Sequence, residues 1–360
     1  MYAFVGCYTT ADRDGRGAGI SAYRVDPASG VWEQVSVLDG IVNPSFLALD
    51  PQQRWLYCVH GGSGEGVSAF ALDRGRGELR LLNTQPSGGI NPVHLSIHPS
   101  ASCLVVANYT GASVATLPIG PDGSLAPPSQ VLELKGEPGP DPVEQSGPHP
   151  HDIPLDPTGT FAVVPDKGLD RVFVFRLDIK RRALMPTAQG SVQARAGAGP
   201  RHAAFHPRRP YVYVINELDS TVTTYRFDAD SGALETLQIV RSLPPGFLGH
   251  STGAEISVAQ SGAHVYASNR GHDSIAIFGV DPVSGELTTL GWQPTQGRQP
   301  RHFAIDPSGE FLYAANQASD SITTFRADPL AGGLQFTGHV VHTGSPVSIV
   351  FANARSRVRG

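Results

Sequence analysis

An internal repeat is the feature that most constrains how this chain folds. Seven copies open with a proline, or once a glycine, that precedes alternating apolar residues, and they recur at intervals of 46 to 58 residues. These first landmarks are Pro44, Pro92, Pro150, Pro200, Gly253, Pro300 and Pro346. In six copies a second landmark follows 16 residues later, at the end of an apolar run, at His60, Asn108, Asp166, Asn216, Asn269 and Asn316. An offset that stays constant through six copies indicates one structural unit used repeatedly.

Each copy contains short apolar runs separated by turn residues. The third runs, such as VTTYRFD from Val222 and ITTFRAD from Ile322, alternate apolar and polar residues with a period of two, which is typical of β-strands. Turns such as Asp230-Ser231-Gly232 then lead into a fourth run. We therefore expect an all-β fold, a seven-bladed β-propeller whose blades are four-stranded antiparallel sheets.

The two ends of the chain supply different parts of one blade. Residues 3–8, 19–25 and 31–38 correspond to the second, third and fourth strands of a unit, whereas the copy at Pro346 has only a first strand. The strand near 346–352 should therefore pair with the N-terminal strand and close the ring. Although 360 residues could hold two average domains, this arrangement predicts a single propeller domain over residues 1–360.

Composition narrows the classes of partner and compartment. The formal net charge of −5 and the pI near 6.2 argue against a nucleic-acid surface, which normally carries a basic stripe. The sequence has no apolar stretch long enough for a membrane span and no signal-peptide leader. Cys7, Cys58 and Cys103 are far apart in apolar runs, as expected of reduced core residues. We expect a cytoplasmic protein that binds neither nucleic acid nor membrane, as a monomer or weak homodimer.

The constant offset also predicts where functional side chains meet. Because it spans two strands and a turn, the residue after each first landmark should lie beside the residue after each second landmark, at one mouth of the channel. The first set is Ser45, Val93, His151, Arg201, Ala254, Arg301 and Val347, and the second set is Gly61, Tyr109, Lys167, Glu217, Arg270 and Gln317. Three arginines, a lysine, a glutamate and a histidine at a concave mouth suit an anionic small molecule.

Several motifs resemble the lactonase family of seven-bladed propellers. They are the Pro-Arg-His start at Pro200 and Pro300, the pairs Asn216-Glu217 and Asn269-Arg270, and turns of the DPxSGxL type. The family includes bacterial propeller-type 6-phosphogluconolactonase and fungal carboxy-muconate cyclase. The unit differs from the WD40 type, because no tryptophan of the chain is followed by aspartate.

The resemblance implies a lactone site with neither metal nor cofactor, in which a His, a Glu and two Arg carry over to His151, Glu217, Arg201 and Arg270. In a hydrolytic reaction His151 or Glu217 is the general base, while the two arginines bind an anionic group and stabilise the oxyanion. The candidates for substrate binding are His149, Lys167, Arg301, Tyr109 and Gln317. His149 is an alternative to His151, and the two histidines could also be structural or hold a metal.

Three functions stay open at this point. The first is hydrolysis of an anionic small-molecule lactone, 6-phosphogluconolactone or a related sugar lactone, with a place in the pentose phosphate pathway. The second is a lactonizing cycloisomerase acting on a carboxy-muconate, and the third is a propeller that only binds partners.

Other recurring residues are interpreted as structural. His94, Asp152, His202, Glu255 and His302 occupy the next repeat position and are expected to bond between blades. Two segments rich in Pro and Gly, 133–149 and 242–252, lengthen the repeat before first strands and should form the rim of the same mouth.

Overall fold

The computed structural model describes residues 1–62 and 66–354 as seven β-sheets arranged in a ring. The strands are β1 (Tyr2–Cys7), β2 (Gly19–Val25), β3 (Trp32–Asp39), β4 (Pro44–Leu49), β5 (Trp55–His60), β6 (Gly66–Asp73), β7 (Glu78–Pro86), β8 (Pro92–Ile97), β9 (Cys103–Asn108), β10 (Ser113–Pro118), β11 (Gln130–Glu133), β12 (Phe161–Asp166), β13 (Arg171–Asp178), β14 (Ala183–Gln193), β15 (Pro200–Phe205), β16 (Tyr211–Asn216), β17 (Thr221–Phe227), β18 (Leu234–Arg241), β19 (Thr252–Val258), β20 (His264–Arg270), β21 (Ser274–Val280), β22 (Leu287–Pro294), β23 (Pro300–Ile305), β24 (Phe311–Asn316), β25 (Ser321–Ala327), β26 (Leu334–His342) and β27 (Pro346–Ala352). Two short 3₁₀ helices cover Ala11–Arg13 and Gln317–Ser319.

The predicted closure of the ring is confirmed. Blade 1 has the order β27-β1-β2-β3, so its innermost strand comes from the end of the chain. Strand β27 pairs antiparallel with β1, with Phe4 opposite Val350 and Val5 opposite Ile349. Blades 2 to 7 follow in chain order, each running outward from its first strand. The seven-bladed propeller predicted from the repeat is therefore the fold.

Blade 4 differs from the others at its inner edge. Its sheet has three regular strands, β12 to β14, and residues 150–155 lie in the place of the first strand. Only two isolated bridges join this segment to β12, Pro150 to Asp166 and Leu155 to Ala162. Because Pro150 and Pro154 have no N–H group, they cannot donate to a continuous ladder.

The hydrophobic core is divided into seven clusters, each between two neighbouring blades. The cluster between blades 7 and 1 joins the start and the end of the chain, with Trp32 packed 4.8 Å from the ring of Tyr313. Burial of apolar surface between all neighbouring pairs holds the ring together and fixes the width of its central channel.

A repeated tyrosine contact links adjacent blades. The buried hydroxyl of Tyr213 in blade 5 donates to the carbonyl of Gly285 in a turn of blade 6, at 3.0 Å. Tyr57, Tyr266 and Tyr313 make the same bond to Gly123, Gly332 and Gly30. Gly285 has φ of 75°, and a Cβ there would lie 2.6 Å from the Tyr211 ring, so this turn requires glycine.

Among the described residues, no helix combines the length and the apolar character needed to cross a membrane.

Candidate active site at the mouth of the channel

A β-bulge in the first strands directs the predicted side chains toward the channel. In blade 5, Pro200 pairs with Asn216 and His202 pairs with Ile215, so Arg201 between them has no partner across the ladder. The same shift leaves Ser45, Val93, Arg301 and Val347 unpaired in their blades. Bulges of this kind turn a side chain out of the sheet. The pairing of Pro200 with Asn216 also confirms the register predicted from the 16-residue offset.

Two connected spaces occupy the axis of the ring. The mouth cleft, of about 340 Å³, is lined by Tyr8, Arg13, Asn91, Val93, Tyr109, Thr110, His151, Lys167, Glu217 and Arg301. Beneath it lies the floor cavity, of about 20 Å³, lined by Tyr8, Ser45, Phe46, Val93, His151, Arg201, His202, Glu255, Arg301, His302 and Val347. Four residues belong to both linings and so stand between the two spaces, which are Tyr8, Val93, His151 and Arg301.

Glu217 is the centre of a buried cluster of charges. Its Oε2 lies 2.8 Å from Nε of Arg201 and 3.1 Å from Nη2 of Arg270. Its Oε1 accepts a hydrogen bond from Nζ of Lys167 at 3.0 Å. Burial alone would raise the pKa of Glu217, but the charges of Arg270, Lys167 and Arg201 outweigh it and bring that pKa below its ordinary range. Glu217 is therefore an anion at every physiological pH, with both oxygens engaged.

The rim segment predicted at residues 133–149 contributes a second carboxylate. Glu144 Oε2 accepts a hydrogen bond from Nζ of Lys167 at 2.5 Å, and its side chain is half-exposed. Gln145 of the same segment donates to the Lys167 carbonyl at 2.8 Å. Burial would lower the pKa of Lys167, but Glu217 and the other partners raise it, so the ammonium group stays charged. The segment thus holds Lys167 in place beside the cleft.

His151 lies in the wall of the cleft, and its buried Nδ1 has no hydrogen-bond partner among the described residues. Its ring centroid is 5.3 Å from that of Tyr109 and 5.2 Å from that of His202. Burial, followed by the charges of Arg201 and the other nearby cations, lowers the pKa of His151 well below the ordinary value. The imidazole is therefore neutral at pH 7 and has a lone pair available to accept a proton.

His149 faces away from the cleft. Its ring stacks on Tyr109 with centroids 4.5 Å apart, and its Nδ1 lies 3.2 Å from the Tyr109 carbonyl oxygen. It supports Tyr109, whereas His151 is the histidine that lines the cleft. Among residues 1–62 and 66–354, no three His, Cys, Asp or Glu side chains are grouped to hold a metal ion.

The other predicted residues divide between the cleft and its surroundings. Arg301 lines the cleft, with its guanidinium 5.4 Å from the ring centre of Tyr8. Arg270 contacts the cluster through Glu217 and lies 3.3 Å from the Gly253 carbonyl oxygen. Gln317 is not among the residues that line the cleft, although its backbone N–H donates to the Gln299 carbonyl just as that of Glu217 donates to Gly199.

Sequence reasoning missed five residues of this mouth, which are Tyr8, Arg13, Asn91, Thr110 and Glu144. Tyr8 could have been found by extending the repeat to the first blade. Pro346 pairs with Cys7, so Tyr8, the residue after Cys7, belongs to the second set. Arg13 comes from the long connection between β1 and β2, where Nη2 lies 3.4 Å from Oδ1 of Asn91. Its place over the mouth depends on loop geometry that no repeat pattern specifies.

The residues interpreted as bonding between blades do so, at the level of the channel floor. His94 lies 2.9 Å from Asp152, and His202 lies 3.2 Å from both oxygens of Glu255. His302 is 3.5 Å from the same carboxylate. Each of these contacts joins different blades, and the rings meet near the axis of the channel.

Comparisons with known proteins agree with this arrangement. The model of a family described as lactonase, seven-bladed beta-propeller, matches residues 2–351. A 6-phosphogluconolactonase from Bacillus subtilis is 35% identical over 305 residues, covering 84% of each chain. One from Formosa agariphila is 34% identical over 321 residues, covering 84% of this chain and 86% of the relative. The structure of a periplasmic gluconolactonase from Pseudomonas aeruginosa superposes with a TM-score of 0.91 at 32% identity, over 98% of this chain and 99% of that one.

Proposed function

Because the chain belongs to the lactonase family of seven-bladed β-propellers, we propose that it hydrolyses 6-phosphogluconolactone or a closely related sugar lactone with an anionic group. The curated relatives from Bacillus subtilis and Formosa agariphila carry the name of that activity. The reaction adds water across the ester bond of a cyclic ester and needs a base, a water molecule and a site for the developing oxyanion.

The excess of cations around the cleft is the observation that carries this proposal. Glu217 and Glu144 offset part of the charge of Lys167, Arg201 and Arg270. Arg13 and Arg301 line the same cleft, and neither has a carboxylate partner within salt-bridge distance among the described residues. Guanidinium groups bind phosphate through paired N–H donors, so these two arginines suit the phosphate of a sugar lactone.

His151 is the group best placed to act as general base. It is neutral, it lines the cleft and it has a free lone pair. Glu217 is unsuited to that role, because three cations engage its oxygens and lower its proton affinity. Glu217 instead orients Lys167, Arg201 and Arg270 for the oxyanion.

His151 carries one proton through both steps of the hydrolysis. His151 accepts a proton from water as the water oxygen bonds to the lactone carbonyl carbon, and the carbonyl oxygen becomes an oxyanion beside the cations. When the bond to the ring oxygen breaks, the imidazolium returns its proton to that oxygen. The products are a carboxylic acid and a hydroxyl group. The substrate's own negative charge offsets the cations that disfavour the imidazolium, so binding raises the basicity of His151.

We propose that this chemistry needs no metal ion. The cleft already gathers the cations that stabilise an oxyanion, and an added metal cation would be repelled by them. A cytoplasmic location is likewise a proposal, supported by the three buried cysteines, Cys7, Cys58 and Cys103, all of which are free thiols.

The test is hydrolysis of 6-phosphogluconolactone by the purified protein in the presence of a chelator, corrected for the spontaneous rate. Unphosphorylated gluconolactone is measured beside it. Faster hydrolysis of the phosphorylated lactone supports the proposal. No rate above background with either lactone would refute the proposal. It would favour a site for carboxy-muconate lactones or a protein that only binds its ligand.

A further inference from the structure

The floor cavity beneath His151 is lined by polar side chains, and its volume is close to that of one water molecule. Five lining side chains have a buried atom without a hydrogen-bond partner among the described residues. One of them, Nε of Arg201, lies 2.8 Å from Oε2 of Glu217. The other four are Oγ of Ser45, Nδ1 of His151, Nε2 of His202 and Nδ1 of His302. All four residues are at least nine-tenths buried. Buried polar atoms are normally satisfied, so four of them around one small cavity indicate a bound polar species.

Whether the cavity-facing nitrogens of His202 and His302 donate or accept a hydrogen bond depends on what the other nitrogen of the same ring contacts. Glu255 accepts from Nδ1 of His202, because a carboxylate has no proton to give, and this leaves Nε2 of His202 as an acceptor. His302 places its Nε2 3.5 Å from the same carboxylate without a hydrogen bond between them, so its Nδ1 can either donate or accept. Burial is the main cause that lowers the pKa of both histidines, to about 4 for His302, so each ring carries a single proton at pH 7.

The cavity therefore presents an acceptor at Nε2 of His202 and a second ring nitrogen at Nδ1 of His302, and a water molecule can donate to the first and pair with the second. Its oxygen can then accept from the hydroxyl of Ser45 and from Nδ1–H of His151. A buried water with two to four polar partners is the ordinary way in which such groups are satisfied. If His151 carries its proton on Nδ1, its other nitrogen, Nε2, is the lone pair that acts as base.

We propose that the floor cavity binds one water molecule, which links the Glu255–His202 pair to His151. This water fixes His151 in the tautomer that acts as base, a role that rests on the proposed function. Glu255 and His202 are thus positioning residues that act through this water. The arrangement corresponds to a base oriented by a third group, with a water inserted between them.

The test reads tautomers directly and does not depend on turnover. Histidine labelled with ¹⁵N is incorporated, and two-bond ¹H–¹⁵N spectra are assigned through His151→Gln and His202→Gln. The expected result is a proton on Nδ1 in both rings, with one ordered water between them in a high-resolution crystal structure. A proton on Nε2 of His151, or a cavity without water density, would overturn the inference. This wild-type measurement holds even if a floor variant fails to fold.

Glu255→Gln then tests the positioning role. It should turn His151 into a mixture of tautomers and lower kcat about 10- to 100-fold with little change in KM, because the base is no longer held in one orientation. Glu310→Gln, an exposed glutamate paired with Arg326, is the control and should change neither quantity. An unchanged kcat in Glu255→Gln would overturn the inference while leaving the proposed function intact. Correct tautomers and water without lactone hydrolysis would leave the water site standing and refute the proposed function.

Discussion

Arg201 and Glu217 lie 16 residues apart in the sequence, and in the structure Nε of the first is 2.8 Å from Oε2 of the second. The separation equals the offset between the two landmarks of each repeat. The charge pair at the centre of the site is therefore placed by the same strand pairing that blades 2, 3 and 7 use, and the identities of the side chains distinguish blade 5 from these three.

Replacing Glu217 tests its role as the anchor of three cations. Glu217→Gln leaves Lys167, Arg201 and Arg270 without their shared counter-charge in a buried place, and breaking such a pair destabilises a protein by about 3–5 kcal/mol. Urea unfolding measures this loss. The half-exposed Glu144 is the matched control, and Glu144→Gln should change the free energy of unfolding by less than about 1 kcal/mol. Equal effects of the two variants would contradict the anchoring role.

Arg13 should distinguish phosphorylated from unphosphorylated lactones. A hydrogen bond to a charged group contributes about 1.5–3 kcal/mol, so Arg13→Gln is expected to lower kcat/KM for 6-phosphogluconolactone by roughly 10- to 100-fold. Its effect on gluconolactone should be small, since that substrate has no phosphate. Arg24→Gln, at an exposed position paired with Glu33, is the control. A uniform loss on both lactones would place Arg13 outside the phosphate site.

The acid limb of the pH–rate profile should move when a cation near His151 is removed. The imidazolium form cannot act as base, so activity is lost as the pH falls through the lowered pKa of His151. Arg301 is one of the charges that lower this pKa, and Arg301→Gln should therefore move the acid limb of kcat/KM to higher pH. A limb that stays in place would show that another group is the base.

Asp166 gives a prediction about stability. It occupies the position of the repeated asparagines, and burial raises its pKa to about 7 despite three backbone N–H donors that lower it. The unfolded value is about 3.9. Because the folded pKa is the higher one, the stabilising contribution of the protonated form is complete below pH 4 and is lost as the pH rises to about 7.

Asp166→Asn removes this dependence and should exceed the wild type in free energy of unfolding by up to about 4 kcal/mol at pH 8, with little difference at pH 4. Urea unfolding at both pH values measures it. The reciprocal variant, Asn216→Asp, should lose stability as the pH rises through the same range. If Asp166→Asn gave the same difference at both pH values, folding would leave the pKa of Asp166 unshifted, which would contradict this prediction.

The repeat determines which features of the fold and of the site can be predicted from the sequence. The offset predicts the blade, the closure and the neighbours Arg201 and Glu217, because strand pairing is periodic. It does not predict the bulge that turns Arg201 out of its ladder, since a bulge has no counterpart in the apolar pattern. It also places Gln317 at the mouth, although the side chain of Gln317 is not among those that line the cleft. Arg13 and Glu144 belong to long connections whose course is set by tertiary contacts.

Two histidines separated by one residue give the most direct test of which side chain is the general base. His151 lines the cleft and His149 stacks behind Tyr109, so the two variants His151→Gln and His149→Gln differ in chemistry but hardly in position. We predict that His151→Gln lowers kcat for 6-phosphogluconolactone by about 10² or more, the contribution of a general base, whereas His149→Gln retains most of the activity. Retention of turnover in His151→Gln, with loss in His149→Gln, would contradict the assignment of this mouth's base.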